Sequence, residues 1–208
     1  MFEKSNYIET PTLELAEKYI RKFKDEETNA ITDLCIKNLF DTFNQNDDIA
    51  SVLTKVTVLN EFYHTRILSK DLITIAEHIV KQNIDDDLMM GLPDAVEKIV
   101  DTPKEIKKKP YSFATKYCNW HNPHKYPIVD RYVKGMLYYL NKSDNENNVF
   151  YKEQFCQNDL NNYKKYCEIY DSFIKKFKLG KLTYKKIDMY LWKYGKDVEK
   201  KKKISICI

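Results

Sequence analysis

The sequence predicts an all-α protein of about eight helices. Three observations point there. Apolar residues recur at i, i+3, i+4 and i+7 in stretch after stretch, and no run of comparable length alternates with period two. Only four glycines serve 208 residues, too few for many tight hairpins. Hydrophobic residues make up 43% and charged residues 32%, enough apolar surface for one core of moderate size or two lobes.

Thr10-Pro11 is read as the first helix start, because proline at a first helical position lacks an N–H that would be unpaired anyway. Ala16, Tyr19, Ile20 and Phe23 supply that helix's stripe, and Ile31, Leu34, Cys35 and Leu39 supply the next. Asp47 or Asp48 caps a third helix carrying Val52, Val56 and Leu59, and Leu72, Ile75, Ala76 and Ile79 mark a fourth. Residues 111–120 form a helix with Phe113, Tyr117 and Trp120 on its buried side. Val133, Met136, Leu137 and Leu140 follow after two prolines, then the aromatic stripe Tyr166, Ile169, Tyr170, Phe173 and Phe177, then Ile187, Tyr190, Leu191 and Tyr194. The polar run 141–149 is the expected boundary if the single domain divides into two lobes.

Composition excludes several classes. Four glycines leave no Walker loop and no dinucleotide fingerprint. No apolar run reaches bilayer length, and the start carries acidic residues and no apolar signal core, so a cytoplasmic protein without membrane attachment is expected. Five scattered cysteines (Cys35, Cys118, Cys156, Cys167, Cys207) without a CxxC read as free thiols, mostly in the core. Cys118, His121 and His124 lack a matching fourth ligand, so no metal site and no cofactor are expected. His64 and His78 read as surface or core histidines rather than acid–base groups. Net charge is only +4, so any nucleic-acid affinity must come from local clusters such as 104–110 and 196–203.

The chemistry concentrates in SFATKYCNWHNPHKYPIVDRYV, residues 112–133. Lys116 leaves its helix at the edge of the Phe113–Tyr117–Trp120 stripe, where an amine can be partly desolvated. Pro123 and Pro127 force a turn, and Asp130 then stands at the N-cap of the next helix. On residue chemistry alone, a lysine that snorkels and an aspartate that merely caps explain the same pattern.

Lys116, followed by Tyr126-Pro127-Ile128-Val129-Asp130, resembles the helix-hairpin-helix DNA glycosylase superfamily, in its 8-oxoguanine glycosylase-like branch. Asn60 with Arg66-Ile67, and the closing stretch 182–197, are similar to further parts of that family. Residues 102–116 contain no glycine, so Lys107, Lys108 and Lys109 stand where the family has a glycine-rich phosphate clamp. The resemblance implies a compact glycosylase-like helical fold with an interlobe cleft, acting as a monomer on double-stranded DNA that carries a damaged or modified base. Lys116 would attack the sugar C1′ and form a Schiff base, and Asp130 would stabilise the developing positive charge. Phe62, Tyr63, Trp120 and Trp192 become candidates for the pocket that holds the extruded base. Trp192 lies off the Ile187 stripe, and packing against a neighbouring helix is the competing reading. Asn60, Arg66, Lys107, Lys108, Lys109, Arg131 and Lys134 become candidate DNA contacts. A noncatalytic DNA-binding module and a helical protein-interaction domain remain the alternatives.

Overall fold

A computed structural model describes residues 8–142 and 146–202, with side chains through Lys200. Among these residues the secondary structure is helical throughout: ten α-helices, three short 3₁₀ turns and no strand. No described helix is long and apolar enough to cross a membrane. The chain divides into two compact units, one discontinuous (residues 1–26 with 129–208) and one continuous (27–128). Residues 141–142 and 146–149 of the polar run therefore lie inside the discontinuous unit, and 143–145 lie outside the described residues.

The continuous unit holds α2 (Glu27–Thr42), α3 (Ile49–Tyr63), α4 (Leu72–Gln82), α5 (Asp85–Met90), α6 (Asp94–Val100) and α7 (Tyr111–His121). Asp48 caps α3 as expected, its carboxylate accepting from the Ser51 N–H at 2.8 Å. Val52, Val56 and Leu59 are fully buried, as are Ile75, Ala76 and Ile79 on α4. The α2 stripe departs from expectation. Ile36 and Phe40 face the core, while Ile31 and Leu34 are about 60% exposed and Cys35 is also at the surface. The buried side of α2 is thus a narrower seam than the apolar spacing suggests. Gly91 ends α5 in the left-handed region (φ 76°), and a Cβ there would collide with the Lys125 side chain.

The discontinuous unit holds α1 (Leu13–Lys24), α8 (Arg131–Asn141), α9 (Tyr163–Lys176) and α10 (Tyr184–Lys202). The α1 cap is Thr12, two residues later than the Thr10-Pro11 reading, with its hydroxyl accepting from the Leu15 N–H at 3.1 Å. α10 packs on both α1 and α8. Gly195 permits the second approach, since a Cβ there would sit 3.1 Å from the Met136 side chain. The stripes of α8, α9 and α10 are buried as read from the sequence. Of the four described cysteines only Cys118 is buried; Cys35 and Cys156 are exposed and Cys167 is intermediate, so the thiols are not mostly core. Cys207 lies outside the described residues.

Candidate active site around Lys116

Helix α7 starts after Pro110 and ends where Asn122-Pro123 withdraws the next donor. Every residue from Phe113 to Asn119 is buried, so the helix is enclosed on all sides instead of along one stripe. Lys116 is only 4% exposed. Its ammonium donates to the Ser112 hydroxyl at 2.6 Å and lies 5.4 Å from the centre of the Tyr63 ring. Tyr63 is fixed in turn by Trp120, whose indole N–H donates to the Tyr63 hydroxyl at 3.0 Å. A cation against an aromatic face and a hydroxyl is an amine held in place by short-range contacts.

The loop that follows α3 borders Tyr63 in sequence and is unusually constrained. His64 (φ 47°) and Arg66 (φ 64°) both adopt left-handed backbone, which costs a non-glycine residue on the order of 1 kcal/mol. Asn60 holds the loop in that form. Its amide donates to the Ile67 carbonyl at 3.1 Å, and its oxygen accepts from the Thr65 hydroxyl at 2.8 Å and the Ile67 N–H at 3.0 Å. Phe62 and Arg66 beside it are exposed. Asn60 is therefore a scaffold residue, and Arg66 is the side chain that the scaffold presents to solvent.

A second lysine, which the sequence reading passed over, is buried in the same unit. Lys55 has no exposed surface. Its ammonium donates to the carbonyls of Phe43 (3.0 Å) and Gln45 (2.8 Å) and to the Asn46 side-chain oxygen (2.7 Å), and it lies 3.4 Å from His121 Nε2. Asp85 grips Asn46 through its backbone and side-chain N–H groups, and the Tyr117 hydroxyl donates to the same Asn46 oxygen. Burial lowers the Lys55 amine to about 8, against the pull of Asp85 and Asp47. Burial, helped by the Lys55 charge, lowers His121 to about 3, so its ring stays neutral at pH 7. The signal was available: Lys55 occupies the i+3 position of the Val52–Val56–Leu59 stripe, a place that otherwise takes an apolar residue.

The remaining candidates separate. Lys107 and Lys108 are exposed on the loop before α7, whereas Lys109 donates to the Thr102 carbonyl at 2.9 Å and lies 3.4 Å from Asp101. Asp130 belongs to the discontinuous unit, where it caps α8 by accepting from the Tyr132 N–H at 2.9 Å. Arg131 stacks on the Tyr132 ring at 4.4 Å and reaches Glu199 at 3.4 Å, tying α8 to α10. Lys134 donates to Asn161 at 2.8 Å, and burial lowers its pKa. Trp192 packs edge-on between Phe23 (5.7 Å) and Tyr132 (6.1 Å), with the Lys196 amine over its ring, an arrangement of interhelical packing. Of the four aromatic candidates, Phe62, Tyr63 and Trp120 share the unit of Lys116 and Trp192 does not. His78 is a core histidine, 2.8 Å from the Lys98 carbonyl.

A family model described as the HI_0787_N N-terminal domain matches residues 15–125, a span that contains Lys55, Asn60, Lys116 and His121 and stops short of Asp130. The chain is also similar to a Haemophilus influenzae (strain ATCC 51907 / DSM 11121 / KW20 / Rd) sequence named "Uncharacterized protein", 36% identical over 167 residues that cover 79% of this chain and 74% of the relative. No solved structure matches.

Proposed function

The chain belongs to the HI_0787_N N-terminal-domain family, and we propose that it is a DNA glycosylase/lyase that excises a damaged or modified base through a Schiff base on Lys116. One observation carries the reading: a buried lysine amine, held between Ser112 and the ring of Tyr63, the residue that ends α3 and leads into a strained loop presenting Arg66. A nucleophilic lysine reacts as the neutral amine, the form that removal from water favours. In the proposed reaction Lys116 Nζ bonds to the sugar C1′ as the C1′–N glycosidic bond breaks, and the departing base keeps the electron pair and takes up a proton. The ring C1′–O bond then opens as the ring oxygen takes a proton from water, leaving a hydroxyl on the opened sugar and a protonated imine between Nζ and C1′. The target nucleotide must leave the duplex stack for this attack, and stacking against aromatic rings offsets that cost. Phe62, Tyr63 and Trp120 are the candidate rings in the lysine's own unit. The resemblance of residues 112–133 to the 8-oxoguanine glycosylase-like branch makes 8-oxoguanine the first substrate to try, and assigns charge stabilisation to Asp130.

The test is borohydride trapping on duplexes containing 8-oxoguanine, an abasic site or no lesion. Wild-type protein is expected to give a lesion-dependent covalent complex that Lys116→Gln abolishes without loss of helical content, and that Asp130→Asn reduces. Trapping on the abasic duplex alone keeps the lysine chemistry and moves the search to other modified bases. Trapping that survives Lys116→Gln removes the nucleophile assignment. Salt-dependent DNA binding without any trapping favours a noncatalytic binding module.

A further inference from the structure

The turn joining α9 to α10 carries a run of positive charge that no acidic residue interrupts. Lys175, Lys176, Lys178, Lys181, Lys185 and Lys186 fall within twelve residues, and no aspartate or glutamate stands between Asp171 and Asp188. All but Lys185 are exposed. Helix electrostatics explain only two of the six. Lys175 and Lys176 close α9, where a helix end favours cations; Lys185 and Lys186 lie in the first turn of α10, which has no acidic residue and where the helix end opposes them. Lys178 adds a second anomaly. It sits at φ 54°, with its N–H on the Lys175 carbonyl and the Leu179 N–H on the Ile174 carbonyl, a helix-ending position that ordinarily takes glycine. An open cavity of about 710 Å³ gathers Lys176, Lys178 and Lys181 at the start of α1, its cap Thr12 and first residue Leu13. Its buried lining consists of Pro11 and Phe177, both apolar, so no enclosed polar side chain is built to hold a small anion.

Like charges arrayed on an open surface, in part against the local helix field, are stabilised by an extended polyanion that supplies several phosphates at once. We infer that the α9–α10 turn docks the phosphate backbone of duplex DNA. The choice of polyanion rests on the DNA reading above, but docking needs neither Lys116 nor any chemistry. Binding here is indifferent to sequence and to lesion.

The experiment measures the affinity of the full chain for a short undamaged fluorescent duplex from about 50 to 200 mM salt, for wild type and for the triple variant Lys176→Gln, Lys178→Gln, Lys181→Gln. Each lost phosphate contact makes the slope of log K against log salt shallower by about 0.9. The triple variant is expected to lower affinity more than about tenfold at the lowest salt and to flatten the slope by about two to three units. A slope within about one unit of wild type overturns the inference. Lys178→Gly, which relaxes the left-handed position, serves as a second variant: it is expected to fold at least as well and still weaken binding. Anionic phosphatidylserine vesicles provide the competing arm, and loss of vesicle binding with duplex affinity intact would also overturn the inference. Trapping that fails while the slope still flattens leaves docking in place and removes only the lyase. Trapping that succeeds with an unchanged slope does the reverse.

Discussion

From Tyr163 to Tyr194 the discontinuous unit fills its interior with rings. Tyr163, Tyr166, Tyr170, Phe173 and Tyr190 are fully buried, and neighbouring rings lie 5 to 6.5 Å apart. The continuous unit buries a different chemistry. Asn46, Lys55, His78, Thr102, Thr115, Lys116 and Asn119 are all enclosed there, against Asn148 and Lys193 in the other unit. Burying polar and charged groups is costly unless each finds a partner, and stability alone gives little reason to collect them. Aromatic packing holds helices together without burying charge, although the Tyr170 and Tyr190 hydroxyls are enclosed without a hydrogen-bond partner. Under the proposed function, the contrast makes α8–α10 the scaffold and puts the chemistry around α7, since perturbed and enclosed titratable groups cluster at functional sites.

The largest expected effect tests the scaffold half of that contrast. Phe173 is fully buried with ring neighbours Phe177 at 5.1 Å and Phe150 at 5.4 Å. Phe173→Ala should cost about 3–5 kcal/mol in urea unfolding. Borohydride trapping per folded molecule should stay at the wild-type level. A loss of trapping without a loss of stability would put chemistry in the aromatic unit and dissolve the distinction.

A smaller effect, specific to the polar unit, comes from His121. Its folded pKa of about 3 lies below the ordinary 6.5, so the unfolded chain binds the proton first as pH falls. Stability is therefore fully present above pH 6.5 and drains away toward pH 3. Between pH 7 and pH 5 the loss from this ring should be about 2 kcal/mol. His121→Gln keeps a polar side chain beside Lys55 and removes the titration, so its urea midpoint should vary less over that range. An unchanged pH slope would show that the ring is more accessible to protons than its place between Phe40, Tyr117 and Lys55 implies.

Much of this was readable from residue order. The stripes of α3, α8, α9 and α10 emerged because each has its apolar residues on one buried face, and Asp48 and Asp130 announced their helices as caps. Local pattern was less reliable for α2, where Ile31 and Leu34 keep helical spacing yet face solvent. The discontinuous unit was not legible at all, because it depends on α1 packing against α10 across most of the chain, and sequence spacing carries no record of such a pairing. Lys116 stood out through its neighbours. Lys55 did not, because its partners are two backbone carbonyls and Asn46 from a loop nine to twelve residues upstream.

The smallest effect separates the two roles assigned to the loop after α3. Arg66 holds left-handed backbone at φ 64°, and glycine at that position removes the clash between Cβ and the backbone while giving the unfolded chain more freedom. The first effect outweighs the second at positive φ, so Arg66→Gly should raise stability by about 0.5–1 kcal/mol in urea unfolding. Asn60 and its three hydrogen bonds are untouched by the change, so the loop keeps its path. The same variant should weaken binding to undamaged duplex and flatten its salt slope by about one unit, the loss of one phosphate contact. Stability and affinity then move in opposite directions, as expected where backbone strain is retained for the side chain it presents. A variant that loses stability and keeps its affinity would make Arg66 a structural residue and leave Lys116 without a DNA-facing neighbour in this loop.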